Sequence, residues 1–293
     1  MAPPNKANGT LASDNIIHRI ELKHYLPLDY NRQTMNKVIL FCPAGREEVL
    51  AIQLRYIKSI LDLEIVNEYH IWDFSWTEND SNYISKLECV HPKIKIKRSP
   101  YNNACRSGDV ASKQFSYFLS TYYNYLAFKD FVFVKLDDDI VFIDTRNFEN
   151  FIQGRMRSNS FLYSANVINN KHTEISNFDN IHTNFIQHYQ QILETNRQKE
   201  TKLFSKDLRL SINFVSFLGK DLQYINKEFS NGIGSNDEWR LCNVIPTALL
   251  LDNEICSFMT VVHYAFGGCI DKKYLQDYIK IHDEYTDSPS LLP

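Results

Sequence analysis

Three consecutive aspartates carry the strongest chemical signal of the chain. Asp137, Asp138 and Asp139 follow directly on an apolar run that predicts a buried strand. Adjacent carboxylates repel one another, so this position costs stability unless a cation offsets the charge. On an extended chain Asp137 and Asp139 would share one face, with Asp138 on the other, and two carboxylates on one face suit Mg²⁺ or Mn²⁺. The alternative is an acidic turn that ends a strand and binds nothing.

A second acidic group follows two glycines nearer the C-terminus. Gly232 and Gly234 precede Asp237, Glu238 and Trp239. A carboxylate beside such a loop could take the proton of an acceptor hydroxyl, and the indole of Trp239 offers a sugar a flat face. Acidic residues are also favoured in the first turn of a helix by the helix dipole. A plain capped helix is therefore the alternative.

A histidine could complete the metal site. His263 follows an apolar run and precedes the pair Gly267 and Gly268. An imidazole nitrogen is a reasonable third ligand for Mn²⁺ beside two carboxylates. The alternative is a structural histidine at the end of a strand.

Side chains near the ends of the early strands could contact a nucleotide. A turn with a glycine follows the first predicted strand, where the backbone can pass close to a base or a ribose. Basic residues early on a predicted helix could neutralise a diphosphate. The candidates are Pro43, Ala44, Arg46, Asp73, Arg106, Lys113, Asp137 and Asp138. The alternatives are a strand-ending polar residue for Asp73 and a solvated helix face for the basic residues.

The periodicity of apolar residues predicts the elements that position these side chains. Short apolar runs predict strands over residues 38–42, 69–74, 94–97, 131–136, 161–165 and 213–218. Helical spacing predicts helices over 46–61 and 105–128. A polar segment at 169–206, helical over 184–195, suggests a lid or an acceptor-side insertion. The alternation predicts an α/β fold with a mostly parallel sheet and helices on both faces.

Composition excludes several classes of protein. The 293 residues carry a formal net charge of −3 and no long basic run, so no nucleic-acid partner is expected. No two of the six cysteines have the C-x-x-C spacing of a zinc ribbon or redox motif. No apolar run approaches the ~20 residues of a membrane span, and the polar N-terminus has no signal-peptide core. We therefore expect a cytoplasmic protein with reduced thiols.

Taken in order, these motifs resemble those of the GT-A type of glycosyltransferase, which has a DxD motif and uses a nucleotide-sugar. The resemblance covers about residues 36–270 and implies a GT-A (Rossmann-like) fold. It implies that Asp137 and Asp139, as the DxD motif, bind Mn²⁺ or Mg²⁺ and the donor diphosphate. It also implies that His263 is a metal ligand. The acidic loop resembles that of inverting members, in which Asp237 matches the general base and Glu238 lies beside it.

The resemblance also implies a domain organisation. One GT-A domain would occupy residues 36–285, with a nucleotide-sugar-binding half at 36–145 and an acceptor-binding half at 146–285. Residues 1–35 would form a tail and lead-in, and 286–293 a C-terminal tail. Because no membrane anchor is found, we expect the chain to be more similar to the soluble enzymes of bacteria or of large algal viruses. In a virus, the host cytoplasm would be the compartment.

The implied reaction moves a sugar from a nucleotide-sugar to a hydroxyl of a glycan acceptor. UDP is the default nucleotide and GDP stays open, and Trp239 would contact the acceptor. Asn236 stands where many inverting members carry another carboxylate, so retention stays open although inversion through Asp237 is expected. Two alternatives are a nucleotidyltransferase that acts on a sugar phosphate and a glycan-binding domain without activity.

Overall fold

A nine-stranded sheet forms the centre of the part of the chain that the structure describes. The computed structural model describes residues 37–75, 77–101, 108–168, 178–204, 210–230, 237–264 and 272–287. The strands are β1 (Lys37–Ala44), β2 (Val66–Asp73), β3 (Ile94–Lys97), β4 (Phe131–Leu136), β5 (Ile140–Ile143), β6 (Tyr163–Ile168), β7 (Lys202–Phe204), β8 (Phe214–Leu218) and β9 (Asn253–His263). The helices are α1 (Glu47–Leu61), α2 (Glu78–Lys86), α3 (Gly108–Tyr117), α4 (Tyr125–Phe128), α5 (Phe148–Arg157), α6 (Phe178–Arg197), α7 (Leu222–Ser230), α8 (Asp237–Trp239), α9 (Ile245–Leu249) and α10 (Leu275–Asp287).

The sheet is mostly parallel, as the sequence predicts. Its strand order is β3-β2-β1-β4-β8-β6-β9-β5, and β7 pairs with β9. The pairs β1–β2, β2–β3, β1–β4 and β6–β9 are parallel, whereas β8 is antiparallel to β4 and β6, and β5 and β7 are antiparallel to β9. β1 to β4, β6 and β9 therefore run in one direction. The predicted α/β fold class is confirmed.

Helices cover both faces of the sheet, because alternate residues of a strand point to opposite sides. On one side, the ring of Phe41 in β1 packs against Phe118 and Tyr123, at centroid distances of 5.6 and 5.2 Å. These two residues follow α3. On the other side, the hydroxyl of Tyr69 in β2 donates a 2.8 Å hydrogen bond to Gln53 of α1. β1 and β2 are thus held between two helical layers.

The core on the α3 side is built largely from aromatic rings. Phe133 of β4 stacks on Phe217 of β8 at a centroid distance of 5.1 Å, and both rings contact Phe41. All three side chains are at most 1% exposed. Aromatic pairs of this kind contribute about 0.5–1.5 kcal/mol each beyond the burial of their area. They hold together β1, β4 and β8, whose ends carry the candidate site.

The predicted helix over 105–128 is interrupted. α3 ends at Tyr117, a π-helical turn follows, and α4 begins only after a break. The buried hydroxyl of Tyr123, at the break, accepts a 3.0 Å hydrogen bond from Trp72 of β2. The side-chain amide of Asn226 donates a 2.9 Å bond to the carbonyl of Tyr123. These tertiary bonds replace helical ones, and the apolar periodicity of the sequence cannot show them.

The described part of the polar segment 169–206 belongs to the core of the fold. α6 covers the predicted helix but is kinked at His188, and its buried Asn196 donates a 3.0 Å bond to Thr260 of β9. β7 pairs with the same strand. The interpretation of this part as a lid is therefore wrong. Within the described ranges, the structure contains no helix that is both long and apolar enough to cross a membrane.

Candidate functional site

The three aspartates lie in a reverse turn at the carboxyl end of β4, and not on an extended chain as predicted. The amide of Ile140 donates a 3.3 Å hydrogen bond to the carbonyl of Asp137 and closes the turn. β5 begins there and pairs with β9. The turn breaks the alternation of an extended chain. As a result Asp139 does not share a face with Asp137, and it lies with Asp138 against Arg46.

Arg46 joins two of the aspartates at the start of α1. Its guanidinium bonds both carboxylate oxygens of Asp138 and lies 2.9 Å from Asp139 Oδ2. Asp138 Oδ2 also accepts hydrogen bonds of 2.8 and 3.0 Å from the backbone amides of Gly45 and Arg46. Asp138 is buried and anchors the turn after β1. This arrangement gives no support to the prediction that Asp138 and Arg46 contact the nucleotide.

The opposite charges of this network shift the pKa values of Arg46 and Asp139. Burial alone would lower the pKa of Arg46, but the charges of Asp138 and Asp139 outweigh it and raise the pKa above its ordinary value. Burial alone would raise the pKa of Asp139, but His263 and Arg46 lower that pKa to about 2. Arg46 and Asp139 are therefore both charged at neutral pH.

His263 lies beside Asp139 at the end of β9. Its Nε2 is 3.1 Å from Asp139 Oδ2, and the amide of Tyr264 donates a 2.8 Å bond to the Asp139 carbonyl. Asp139 Oδ1 is buried and has no hydrogen-bond partner in the part of the chain that the structure describes. A buried carboxylate oxygen without a partner, next to an imidazole, is a donor set that suits Mn²⁺ or Mg²⁺. These two residues therefore fit the metal that the resemblance implies.

Asp137, the other predicted metal ligand, is not brought into this pair. Among the residues described, no group of three or more His, Cys, Asp and Glu side chains is arranged to hold a metal. The carboxylate of Asp137 instead contacts Lys135 and Asn213. A metal held by Asp139 and His263 alone would need the rest of its ligands from substrate oxygens and water, which Mg²⁺ commonly uses.

A cleft of about 360 Å³ opens at the carboxyl ends of β1 and β4. It brings together four predicted site residues, Pro43, Asp137, Asp237 and Glu238. The lining residues are Pro43, Phe74, Phe115, Lys135, Asp137, Ile212, Asn213, Asp237 and Glu238. Aromatic and apolar walls thus meet three carboxylates and one ammonium group, at strand ends where α/β proteins bind ligands.

The acidic pair Asp237 and Glu238 forms the first turn of α8. The backbone amide of Glu238 donates a 2.9 Å hydrogen bond to Asp237 Oδ1, and both side chains line the cleft. Trp239 follows with 46% of its surface exposed, but it is not among the lining residues. The glycine loop that precedes the pair lies at 231–236, outside the described residues.

Asp73 is enclosed in the protein and does not line the cleft. Its Oδ1 accepts a 3.1 Å bond from the amide of Ser75, and its Oδ2 accepts from Ser81 and Arg98 at 3.0 and 3.2 Å. Its side chain is 0% exposed. Burial alone would raise the pKa of Asp73, but these hydrogen bonds and the charge of Arg98 outweigh it and lower the pKa. The enclosed carboxylate offers no surface to a nucleotide.

The remaining predicted residues lie away from the cleft or outside the described residues. Ala44 is buried, and its carbonyl accepts a 2.7 Å bond from the amide of Phe74. Lys113 is half-buried on α3 and does not line the cleft. Arg106 falls in 102–107, outside the described residues. The predicted turn at 43–46 begins inside β1, and of its four residues only Pro43 lines the cleft.

The structure adds lining residues that the sequence analysis misses. The sequence could have identified Lys135, because it is a charged residue inside an otherwise apolar strand. No pattern in the sequence identifies Phe74, Phe115 and Asn213, because only the tertiary fold brings them to the carboxyl end of β4.

Comparison with known proteins yields distant structural likenesses. No protein-family model and no curated protein matches the chain. The chain is similar to S. aureus TarS 1–349, with 13% identity and a TM-score of 0.48, over 87% of this chain and 67% of that one. It is similar to the galactosyltransferase LgtC in complex with donor and acceptor sugar analogues (10% identity, TM-score 0.45, 86% and 98% covered). A third likeness is to 4-diphosphocytidyl-2C-methyl-D-erythritol synthase from Anaerococcus prevotii, with 10% identity and a TM-score of 0.41, over 85% of this chain and 97% of that one. With TM-scores below 0.5, none of these likenesses bears on the activity of the chain.

Proposed function

We propose that the protein is a metal-dependent glycosyltransferase that moves a sugar from a nucleotide-sugar, by default a UDP-sugar, to a hydroxyl of a glycan acceptor. The observation that carries the proposal is the cleft at the ends of β1 and β4. It joins Asp137, from the motif after β4, to Asp237 and Glu238, about a hundred residues later in the chain. A transferase of this kind needs donor-side and acceptor-side groups in one cleft, because the two substrates must meet for direct transfer.

In this proposal Asp237 is the general base. Its carboxylate lines the cleft and is held there by the amide of Glu238. It would take the proton of the acceptor hydroxyl as that oxygen attacks the anomeric carbon. Attack on the face opposite the leaving nucleotide inverts the configuration. A retaining reaction is the alternative within the same class, and the configuration of the product distinguishes the two.

The metal would be held by Asp139 and His263. These residues would hold a bound divalent ion, whose positive charge would stabilise the diphosphate leaving group of the donor. Asp139 supplies a buried carboxylate with one oxygen that lacks a partner in the described structure. Arg46 keeps the turn in place from the other side through Asp138.

Cys42, Cys89 and Cys256 carry free thiols, which fits a reducing compartment such as the cytoplasm.

A donor panel tests the class of reaction. Purified protein is incubated with each common UDP- and GDP-sugar, with Mn²⁺ or with EDTA, and the released products are identified. We expect nucleoside diphosphate from one donor, with Mn²⁺ only. Release of pyrophosphate from a sugar phosphate and a nucleoside triphosphate would instead establish a nucleotidyltransferase. Nucleotide or glycan binding without turnover of any donor would favour a binding domain.

Asp237→Asn tests the assignment of the base. The amide keeps the size of the side chain but cannot accept a proton, so turnover should fall about 10²- to 10⁴-fold. Affinity for the nucleoside diphosphate, measured by calorimetry, should stay near that of the wild type. Asp277→Asn, on the exposed face of α10, is the matched control and should change neither value. Unchanged turnover in Asp237→Asn would remove Asp237 from this role.

A further inference from the structure

A buried lysine in the cleft has no role in the reaction proposed so far. Lys135 lies in the middle of the sheet on β4 and is 2% exposed, and it is one of the residues that line the cleft. Lysine is seldom buried unless it is paired. Its ammonium group bonds Asp137 Oδ1 and donates a 2.9 Å hydrogen bond to the carbonyl of Ile212.

Asn213 holds the other oxygen of the same carboxylate. Its side-chain amide donates a 2.7 Å hydrogen bond to Asp137 Oδ2, and its carbonyl accepts a 3.0 Å bond from the amide of Asp137. The hydroxyl of Ser211 donates to Asn213 Oδ1. Because that oxygen is occupied, the amide nitrogen of Asn213 is directed to Asp137.

The backbone of Asp137 is fixed from the opposite side of the sheet. The side-chain amide of Gln53 in α1 donates a 2.5 Å hydrogen bond to the Asp137 carbonyl, and Gln53 in turn accepts from Tyr69. Both carboxylate oxygens and both backbone polar groups of Asp137 therefore have a partner. Its side chain nevertheless stays 28% exposed and lines the cleft.

We propose that Lys135 and Asn213 are positioning residues, which hold the carboxylate of Asp137 in the one orientation that the donor substrate meets in the cleft. This inference rests on the proposed function. The physical need is clear, because Asp138 and Asp139 stand next in the chain and would repel a third carboxylate. An ammonium group on one oxygen and an amide on the other offset that repulsion and remove the rotational freedom of the side chain.

A double-mutant cycle separates positioning from a general effect on the fold. The variants are Lys135→Met, Asn213→Ala and Asp137→Asn, together with the two doubles that contain Asp137→Asn. Methionine fills the space of the buried lysine, and the carboxylate that loses its partner is 28% exposed, so water offsets part of the loss of the ion pair. Lys129→Met, at an exposed position, is the matched control.

Donor turnover gives the first readout. We expect Lys135→Met and Asn213→Ala each to lower kcat/KM for the donor by about 10- to 100-fold. Metal ligands that lose a supporting hydrogen-bond partner show losses in this range. The KM for the acceptor should change little, since only the donor side is affected. In the Asp137→Asn background the same changes should cost less than about threefold, because both residues act through Asp137. Additive effects would overturn the proposal.

A second readout does not need the substrate. The urea midpoint of unfolding is measured for the same variants without ligand. If Lys135 holds Asp137, the shifts caused by Lys135→Met and Asp137→Asn are not additive. Additive shifts would overturn the contact itself. Wild-type protein that turns over no donor and binds no nucleotide would refute the proposed function and the donor-side role together, whereas normal donor turnover in Lys135→Met would refute only the positioning role.

Discussion

Replacing Arg46 by methionine removes a cation that two buried carboxylates share. The side chains of Asp138 and Asp139 are each 6% exposed, and that of Arg46 is 21% exposed. Removal of one partner of a buried ion pair costs about 3–5 kcal/mol, because it leaves a buried charge without compensation. Arg46→Met should therefore be among the most destabilising substitutions at the candidate site.

The structure places the expected loss at the lower end of that range. Asp138 would keep its two backbone hydrogen bonds, from Gly45 and from residue 46 itself. Asp139 would keep its contact with His263. We therefore expect the free energy of unfolding to fall by about 3 kcal/mol. For a chain of 293 residues that corresponds to a decrease in Tm of about 5 °C.

Urea unfolding in EDTA measures the loss without interference from a bound metal. Arg55→Met is the control, because Arg55 lies on α1 and pairs with Asp283 on the surface, with the two side chains 43% and 58% exposed. Exposed ion pairs of this kind contribute about 0–1 kcal/mol. The reasoning is refuted if Arg46→Met lies within about 0.5 kcal/mol of wild type, or if the two variants are equally destabilised.

Three further predictions concern the metal, the packing and the pH dependence. Mn²⁺ at about a hundred times its Kd should stabilise the wild type by about 2.7 kcal/mol, seen as a rise in Tm that His263→Ala loses and that an alanine at a surface histidine retains. Gly219→Ala should destabilise by about 1–3 kcal/mol, measured by urea unfolding, because a Cβ there would lie 2.0 Å from the carbonyl oxygen of Phe128; a neutral variant would show that this turn can shift. Burial raises the pKa of Asp221 to about 6. Its protonation therefore contributes fully to the free energy of unfolding below the unfolded-state pKa of about 3.9, and this contribution is lost as the pH rises through about 6. Asp221→Asn should flatten the fall in unfolding free energy between pH 4 and 6 by about 2–3 kcal/mol, and an unchanged pH profile would contradict the shift.

Some elements follow from local pattern alone. The run before the aspartates and the alternation over residues 94–97 give β4 and β3 with the observed bounds. Helical spacing gives α1 to within one residue. In these segments the local periodicity and the tertiary burial agree, so one apolar face or run is enough to identify the element. The interrupted helix after α3 shows the limit, because Tyr123 and Asn226 meet only in the folded chain.

The sequence by itself determined the α/β class and the position of the aspartates at the end of a strand. It also selected Asp137, Asp237 and Glu238, which the fold gathers in one cleft. Those features depend on residue types and short spacings, which a linear chain displays directly.

The tertiary structure alone decided how the three aspartates divide between their partners. A reverse turn sends Asp138 and Asp139 to Arg46 and leaves Asp137 with Lys135. The fold also encloses Asp73 away from the cleft. The contacts of Arg46 span more than ninety residues of the chain, and the backbone hydrogen bonds of the turn decide which aspartate faces Lys135. No local pattern of residues encodes either of them.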